Sequence, residues 1–340
     1  MHAVHCGKGN ALNTKNNPVP IGMRFLNAWM LTDLPKHEIR HHLATWANPT
    51  RLVHYTTPQG LMGIVCQRGF WMTDARFLND LTEVEHGLQY IANILQKLST
   101  KKRYLQFAHI LIRAAEKLPN FAKDRYYITC FSLEADLLEQ WRAYGNNGSG
   151  VAIEFDLKKM QLPFWALPII SLHNVLYTNQ EKNKVILAAV RRYVREYRLD
   201  MSEISDAKET DEITTYLKNK PDDLDQPYGD YLAAALRAHA FCFKDKAFTS
   251  EREVRMVFQE RTDVTEYFEK LNFREVNEVL IPFVCSYELK NTSPEPLPIS
   301  KIVIGPTARQ HVSEAGIQSF IAAHGYDPAI VVRSSVPYRA

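Results

Sequence analysis

Short apolar segments of strand length recur along this chain at unequal intervals. They are RLVHY (51–55), YYITCFS (126–132), GVAIEFDL (150–157), FTSEREVRMVF (248–258), VNEVLIPF (276–283) and KIVIGP (301–306). Helix-like stretches separate some of them and not others, so the pattern departs from regular β-α alternation with its parallel sheet. The expected fold class is α+β: a mixed sheet of short strands with flanking helices and a helical insertion.

Local signals sharpen this outline. After the first strand, Thr57 suits a helix N-cap and Pro58 the first helical position, where a missing N–H costs nothing. That helix is expected to stop at Gly69 as its C-cap. Residues 70–98 turn from a short extended piece into a long helix. LLEQWRAYG (137–145) is a helical turn closed by Gly145. From about 158 to 240 the chain reads as helical, with an acid-rich stretch, KETDEITTYLKNKPDDLDQP (208–227), that behaves as an insertion loop. Residues 34–47 look helical, and residues 1–22 are polar enough to be a disordered lead. Residues 23–340 then form a single α+β domain.

Composition narrows the function classes. At 46% hydrophobic and 23% charged, the chain of 340 residues is an ordinary globular one with ample material for a core. A net charge of +3 is too slight to argue for nucleic acid. Clusters such as Lys101-Lys102-Arg103 and Arg191-Arg192 suit solvated helix faces. The five cysteines are scattered and never in CxxC spacing, as for reduced thiols rather than a disulfide framework or a zinc ribbon. The N-terminal stretch has no apolar core of a secretory signal. No window reaches the roughly 20 apolar residues that cross a bilayer. A cytoplasmic protein without a membrane partner is expected.

Five constellations could carry chemistry. His37-Glu38-Ile39-Arg40-His41 is a formal H-E-x-x-H match, but it sits in a short helix just after Pro35 and lacks a marked third ligand. A surface helix explains it better, and no metal is expected. His54-Tyr55 stands where the first strand hands over to its helix, and Thr56 follows it. In FLNDLTE (77–83), Asn79 or Asp80 can cap the next helix with Glu83 reaching back; the same side chains could face a pocket. Ser132 ends a strand and is followed by Trp141 and Tyr144. Lastly, a strand across TSEREVR would put Glu251, Glu253 and Arg255 on one face, directed outward to solvent or a cleft, and Val254, Met256 and Phe258 on the other. Two carboxylates near an arginine can polarise a hydroxyl or stabilise a cation.

HYT (54–56), FLND with Glu83, CFS (130–132), W-x-x-Y-G (141–145), GVAIEF (150–155), SEREVR (250–255), IGP (304–306) and VPYR (336–339) occur in that order. The set resembles the bacterial domain-of-unknown-function family twenty-nine seventy-one from about residue 50 to the C-terminus. Its layout is similar to that of the ADP-ribosyltransferase superfamily. The resemblance implies an enzyme that takes NAD as substrate, with a protein or nucleic-acid acceptor or with water, serving as a toxin or phage-defence effector. It implies that His54 holds the ribose, that Tyr55 or Tyr144 stacks on nicotinamide, and that Ser132 buttresses the acid. Glu251 or Glu253 would then stabilise the oxocarbenium formed as the glycosidic bond breaks. Asn79, Thr56, Trp141 and Arg255 complete the expected binding set.

Two other readings compete. The same pocket could bind a nucleotide or a nucleic-acid end without chemistry, with Arg255, Arg252 and His54 on phosphate. A metal-dependent hydrolase would use His37 and His41, or Asn79, Asp80 and Glu83.

Overall fold

The computed structural model describes residues 49–78, 81–119, 125–160, 170–206, 225–260, 271–276, 278–286, 296–307 and 309–338. The expected N-terminal lead, the HEIRH segment, Asn79, Asp80 and most of the acid-rich stretch lie outside these residues, as does the side chain of Glu83.

Among the described residues, ten strands form one sheet. They are β1 (Arg51–Thr56), β2 (Trp71–Asp74), β3 (Arg125–Ser132), β4 (Val151–Asp156), β5 (Ile170–Asn174), β6 (Glu253–Glu260), β7 (Asn272–Val276), β8 (Val279–Cys285), β9 (Ile299–Ile304) and β10 (Val331–Arg333). Their order is β10-β9-β4-β1-β3-β2-β8-β7, with β6 on β3 and β5 on β6. Among these ten strands β10 and β9 pair in parallel and the other pairs are antiparallel, so the sheet is mixed and the α+β expectation holds.

Helices cover both faces. On one side lie α2 (Leu81–Ser99), α3 (Ala108–Lys117), α5 (Asn179–Asp206) and α6 (Asp225–Ala240). They pack a core that includes Ile91, Leu111, Ile186 and Leu236 against Tyr126 and Ile128 of β3 and Val257 of β6. On the other side α1 (Pro58–Gln67) and α7 (Gln310–Ala323) meet Phe131, Phe155 and Phe258. The period of two along β3 explains this, since Tyr126 and Ile128 face one layer while Tyr127 and Phe131 face the other. A smaller cluster joins Val53, Tyr55, Ala152 and Val303 to Trp141 of α4 (Leu138–Ala143).

Several sequence expectations shift. Thr57 caps α1, its hydroxyl accepting from the Gly60 N–H, with Pro58 in the first turn. The helix ends at Gln67 and is capped one residue before Gly69: Arg68 itself takes the left-handed conformation, φ 53°. The stretch from 158 to 240 is not wholly helical, because β5 within it pairs along β6. Its helices α5 and α6 belong to the main core. The strand expected at 248–258 begins only at Glu253, and Lys246–Glu251 is a 3-10 helix. Arg252, at φ 45°, separates the two.

Candidate functional site

A strand has two hydrogen-bonding edges. β6 occupies one edge of β3 over eight residues, from Arg125↔Glu260 to Ser132↔Glu253. β1 and β2 therefore share the other. β1 meets it at Val53↔Ser132, and β2 at Thr73↔Ile128 and Asp74↔Tyr127. The sheet forks between them, beside Thr129–Phe131. Side chains bridge the gap: His54 Nδ1 donates to the Cys130 carbonyl at 2.9 Å, and the Thr129 hydroxyl donates to the Trp71 carbonyl at 3.1 Å. A cleft of about 820 Å³ opens at this fork.

His54 lines the cleft and Tyr55 does not. Neighbours on a strand point opposite ways, and the Tyr55 side of β1 is packed rather than open. Because a carbonyl only accepts, Nδ1 of His54 carries the proton, and Nε2 keeps a lone pair. Burial holds this imidazole below the usual histidine range; the Cys130 bond opposes that and the charge of Arg274 adds to it. It is neutral. Tyr55 is buried, its ring edge-on to Trp141 at 4.9 Å. The Tyr55 hydroxyl donates to the Glu134 carbonyl and accepts from the Leu137 N–H. No face of Tyr55 is open for nicotinamide. Trp141 is likewise 0% exposed, so it supports the site from behind.

Glu251, Glu253 and Arg255 do not share one strand face as expected: Glu251 closes the 3-10 helix, and only Glu253 and Arg255 lie on β6. β6 lies between β3 and β5, and all three side chains are buried. Glu253 is 7% and Arg255 5% exposed. Arg255 Nε donates to Glu253 Oε1 at 2.7 Å, Nη2 to Oε2 at 3.1 Å, and Nη1 to the Phe241 carbonyl at 2.5 Å. Lys244 adds a bond to Glu253 at 3.3 Å and pairs closely with Glu251. Two cations thus meet two anions. Glu253, Arg255 and Lys244 line the cleft, and Glu251 stands behind them.

Burial by itself would raise the Glu253 carboxyl, but the charge and bonds of Arg255, with Lys244, bring it down to about 2. Its folded pKa lies below the unfolded one of about 4.3. Its stabilising contribution is therefore full above that range and is lost as pH falls through about 2. His173 and His239, buried and edge-to-face at 5.7 Å, are lowered by burial to about 3 and about 4 from 6.5. Their contribution starts to fall earlier, below 6.5. Urea unfolding over a pH series is expected to show stability dropping in two stages on acidification. A His173→Gln/His239→Gln pair should shrink the first stage, leaving the part that His54 contributes. A flat profile between about pH 6.5 and 4.3 in the parent chain would contradict this.

The remaining expected residues divide. Thr56 lines the cleft, as does Tyr144, which is 39% exposed and whose phenol is pushed up to about 12, mainly by burial. Ser132 is buried outside the cleft; its hydroxyl donates to the Glu251 carbonyl at 2.9 Å and accepts from the Glu134 N–H. Asn79 lies outside the described residues. Sequence reasoning missed Lys244, Phe248, Trp71, Thr73 and Arg274, all on the cleft wall. No motif surrounds them. Trp71 and Thr73 alternate along β2, the only pattern that could have paired them.

The fold and cleft define an α+β protein with a polar, aromatic-walled hollow at a sheet fork. A family described as "Protein of unknown function (DUF2971)" matches residues 140–256, and across this stretch the chain carries that family's pattern. The match takes in W-x-x-Y-G, GVAIEF and SEREVR, and so supports the family expectation. No curated protein and no solved structure matches the chain.

Proposed function

We propose that the fork cleft binds a nucleotide of the NAD type and that the chain acts on its N-glycosidic bond, as a transferase or glycohydrolase. The observation that carries this reading is convergence: His54, Tyr144 and Glu253, distant in sequence, line one cleft. Their chemistry fits the reaction. An oxocarbenium transition state gains most from a carboxylate that is already ionised and fixed, as Glu253 is. The lone pair on His54 Nε2 can accept from a ribose hydroxyl, and the open ring of Tyr144 can stack on a base.

One observation favours a second reading. The Glu253 charge is already answered by Arg255 and Lys244, which weakens its pull on a developing cation. The cleft would then bind the nucleotide without chemistry.

Calorimetric titration with NAD, run beside detection of released nicotinamide, separates the two. Tyr144→Ala is expected to weaken NAD binding about tenfold, the loss of one stacking contact, with little change in stability. Binding without nicotinamide release would leave the second reading standing. No saturable binding would remove both.

A further inference from the structure

The charges facing the cleft do not all cancel. Lys244 and Arg255 are bonded to Glu251 and Glu253, so that group is internally neutral. Glu275 also borders the cleft, but it is exposed and its carboxylate accepts from the Glu278 N–H at 2.6 Å. It points away from its neighbour on β7, Arg274. Arg274 makes no ion pair among the described residues. Its Nη2 donates to the Thr73 hydroxyl at 2.7 Å, and its buried Nε has no hydrogen-bond partner.

The guanidinium is nevertheless held firmly. Its Cζ lies 5.7 Å from the Trp71 ring centre and 5.6 Å from that of Phe283. Register explains the clamp: Thr73 pairs with Phe283, Phe283 with Asn272, and Arg274 follows two residues along on the same face. Thr73 also pairs with Ile128 of β3, so this face is the one that carries Cys130, Arg255 and Glu253. Burial without a counter-charge disfavours the cation and lowers its pKa. A half-buried guanidinium with most of its five N–H donors unused suits an anion with two oxygens to offer.

We propose that Arg274, anchored by Thr73 and clamped by Trp71, is the anion subsite of the fork cleft and takes the phosphate or diphosphate of a nucleotide. This rests on reading the cleft as a nucleotide site, and it moves the phosphate contact from Arg255 and Arg252 to Arg274. Arg255 is held by Glu253 and the Phe241 carbonyl, while Arg252 is paired with Glu134 at 2.6 Å.

The test is calorimetric titration of the full chain and its R274M and R274K variants with ADP, adenosine and inorganic pyrophosphate. The wild type is expected to bind ADP at least tenfold tighter than adenosine. R274M should bring ADP down to the adenosine level and lose pyrophosphate, without melting earlier than the parent. R274K, which keeps the charge but not the planar fork, should recover only part of the affinity. Equal binding of ADP and adenosine by the wild type overturns the subsite, as does wild-type ADP affinity in R274M. Loss of affinity with early melting in both variants also overturns it, by making Arg274 a clamp for the β7–β8 hairpin. The reaction is scored separately. NAD cleaved at the parent KM by R274M removes the subsite and leaves the chemistry standing. Arg274-dependent ADP binding without nicotinamide release does the reverse.

Discussion

Glu253→Gln is expected to lower the unfolding free energy by about 3–5 kcal/mol, because it strands a buried cation. Arg255 would keep the Phe241 carbonyl but lose its carboxylate, at a position only 5% exposed. Lys244 would still have Glu251. The physical signature is asymmetry. Removing both charges together, as Glu253→Met/Arg255→Met, should restore most of the loss, since neither partner is left alone in a low dielectric. Urea denaturation of Glu253→Met, Arg255→Met and the double variant forms the cycle, with Glu253→Gln measured beside them. If Glu253→Gln costs under about 1 kcal/mol, the carboxylate is not the counter-charge that holds Arg255. The same measurement guards the functional assay, because lost nicotinamide release in an unfolded variant says nothing about chemistry. Glu253→Asp, which keeps the charge, is the variant to assay alongside it.

The second large effect lies behind the cleft. Trp141→Ala is expected to cost about 3–5 kcal/mol, the usual loss for truncating a large buried aromatic. The ring is 0% exposed and packs on Tyr55 within the cluster of Val53, Ala152 and Val303. Its Nε1 donates to Asp136 at 2.8 Å, and the same carboxylate takes the Ser334 hydroxyl at 2.6 Å and the Ser335 N–H at 2.9 Å. One tryptophan therefore joins β1, α4 and the C-terminal segment. It also sits under the loop carrying Tyr144: a Cβ on Gly145 would come within 2.5 Å of the indole. Under the proposed nucleotide reading, affinity should fall with stability, although Trp141 does not line the cleft. Trp141→Phe, which keeps much of the volume but not the N–H, should lose roughly half as much. Thermal and chemical unfolding of both variants decide it, and a loss below about 1 kcal/mol in Trp141→Ala would show that the cluster repacks.

Much of the local structure was legible in the sequence. Thr57-Pro58 announced the start of α1, and the apolar run YYITCFS announced a strand. The SEREVR segment misled for a definable reason. Its spacing fits a strand from Ser250 onward, but a positive φ at Arg252 breaks the period, and one such residue leaves no mark in composition. Glu253 and Arg255 were expected to face solvent or a cleft; they line the cleft, but buried and mutually paired rather than solvated. Charged side chains are ordinarily exposed, and nothing in the neighbouring residues says that Lys244 and Glu251 will complete a buried group of four.

His54-Tyr55 shows where the boundary falls. That the two side chains point to opposite sides follows from strand geometry alone. Which of them meets the cleft was decided by β1 and β2 dividing one edge of β3, through pairs as distant as Val53↔Ser132 and Thr73↔Ile128. Periodicity records which face a residue takes within its own strand. It carries no information on which strand lies beside it, because edge pairing is made by backbone groups that every residue shares. The linear order of residues therefore determined the elements and their faces, while the fork, the cleft and the lone cation at Arg274 arose only when distant edges met.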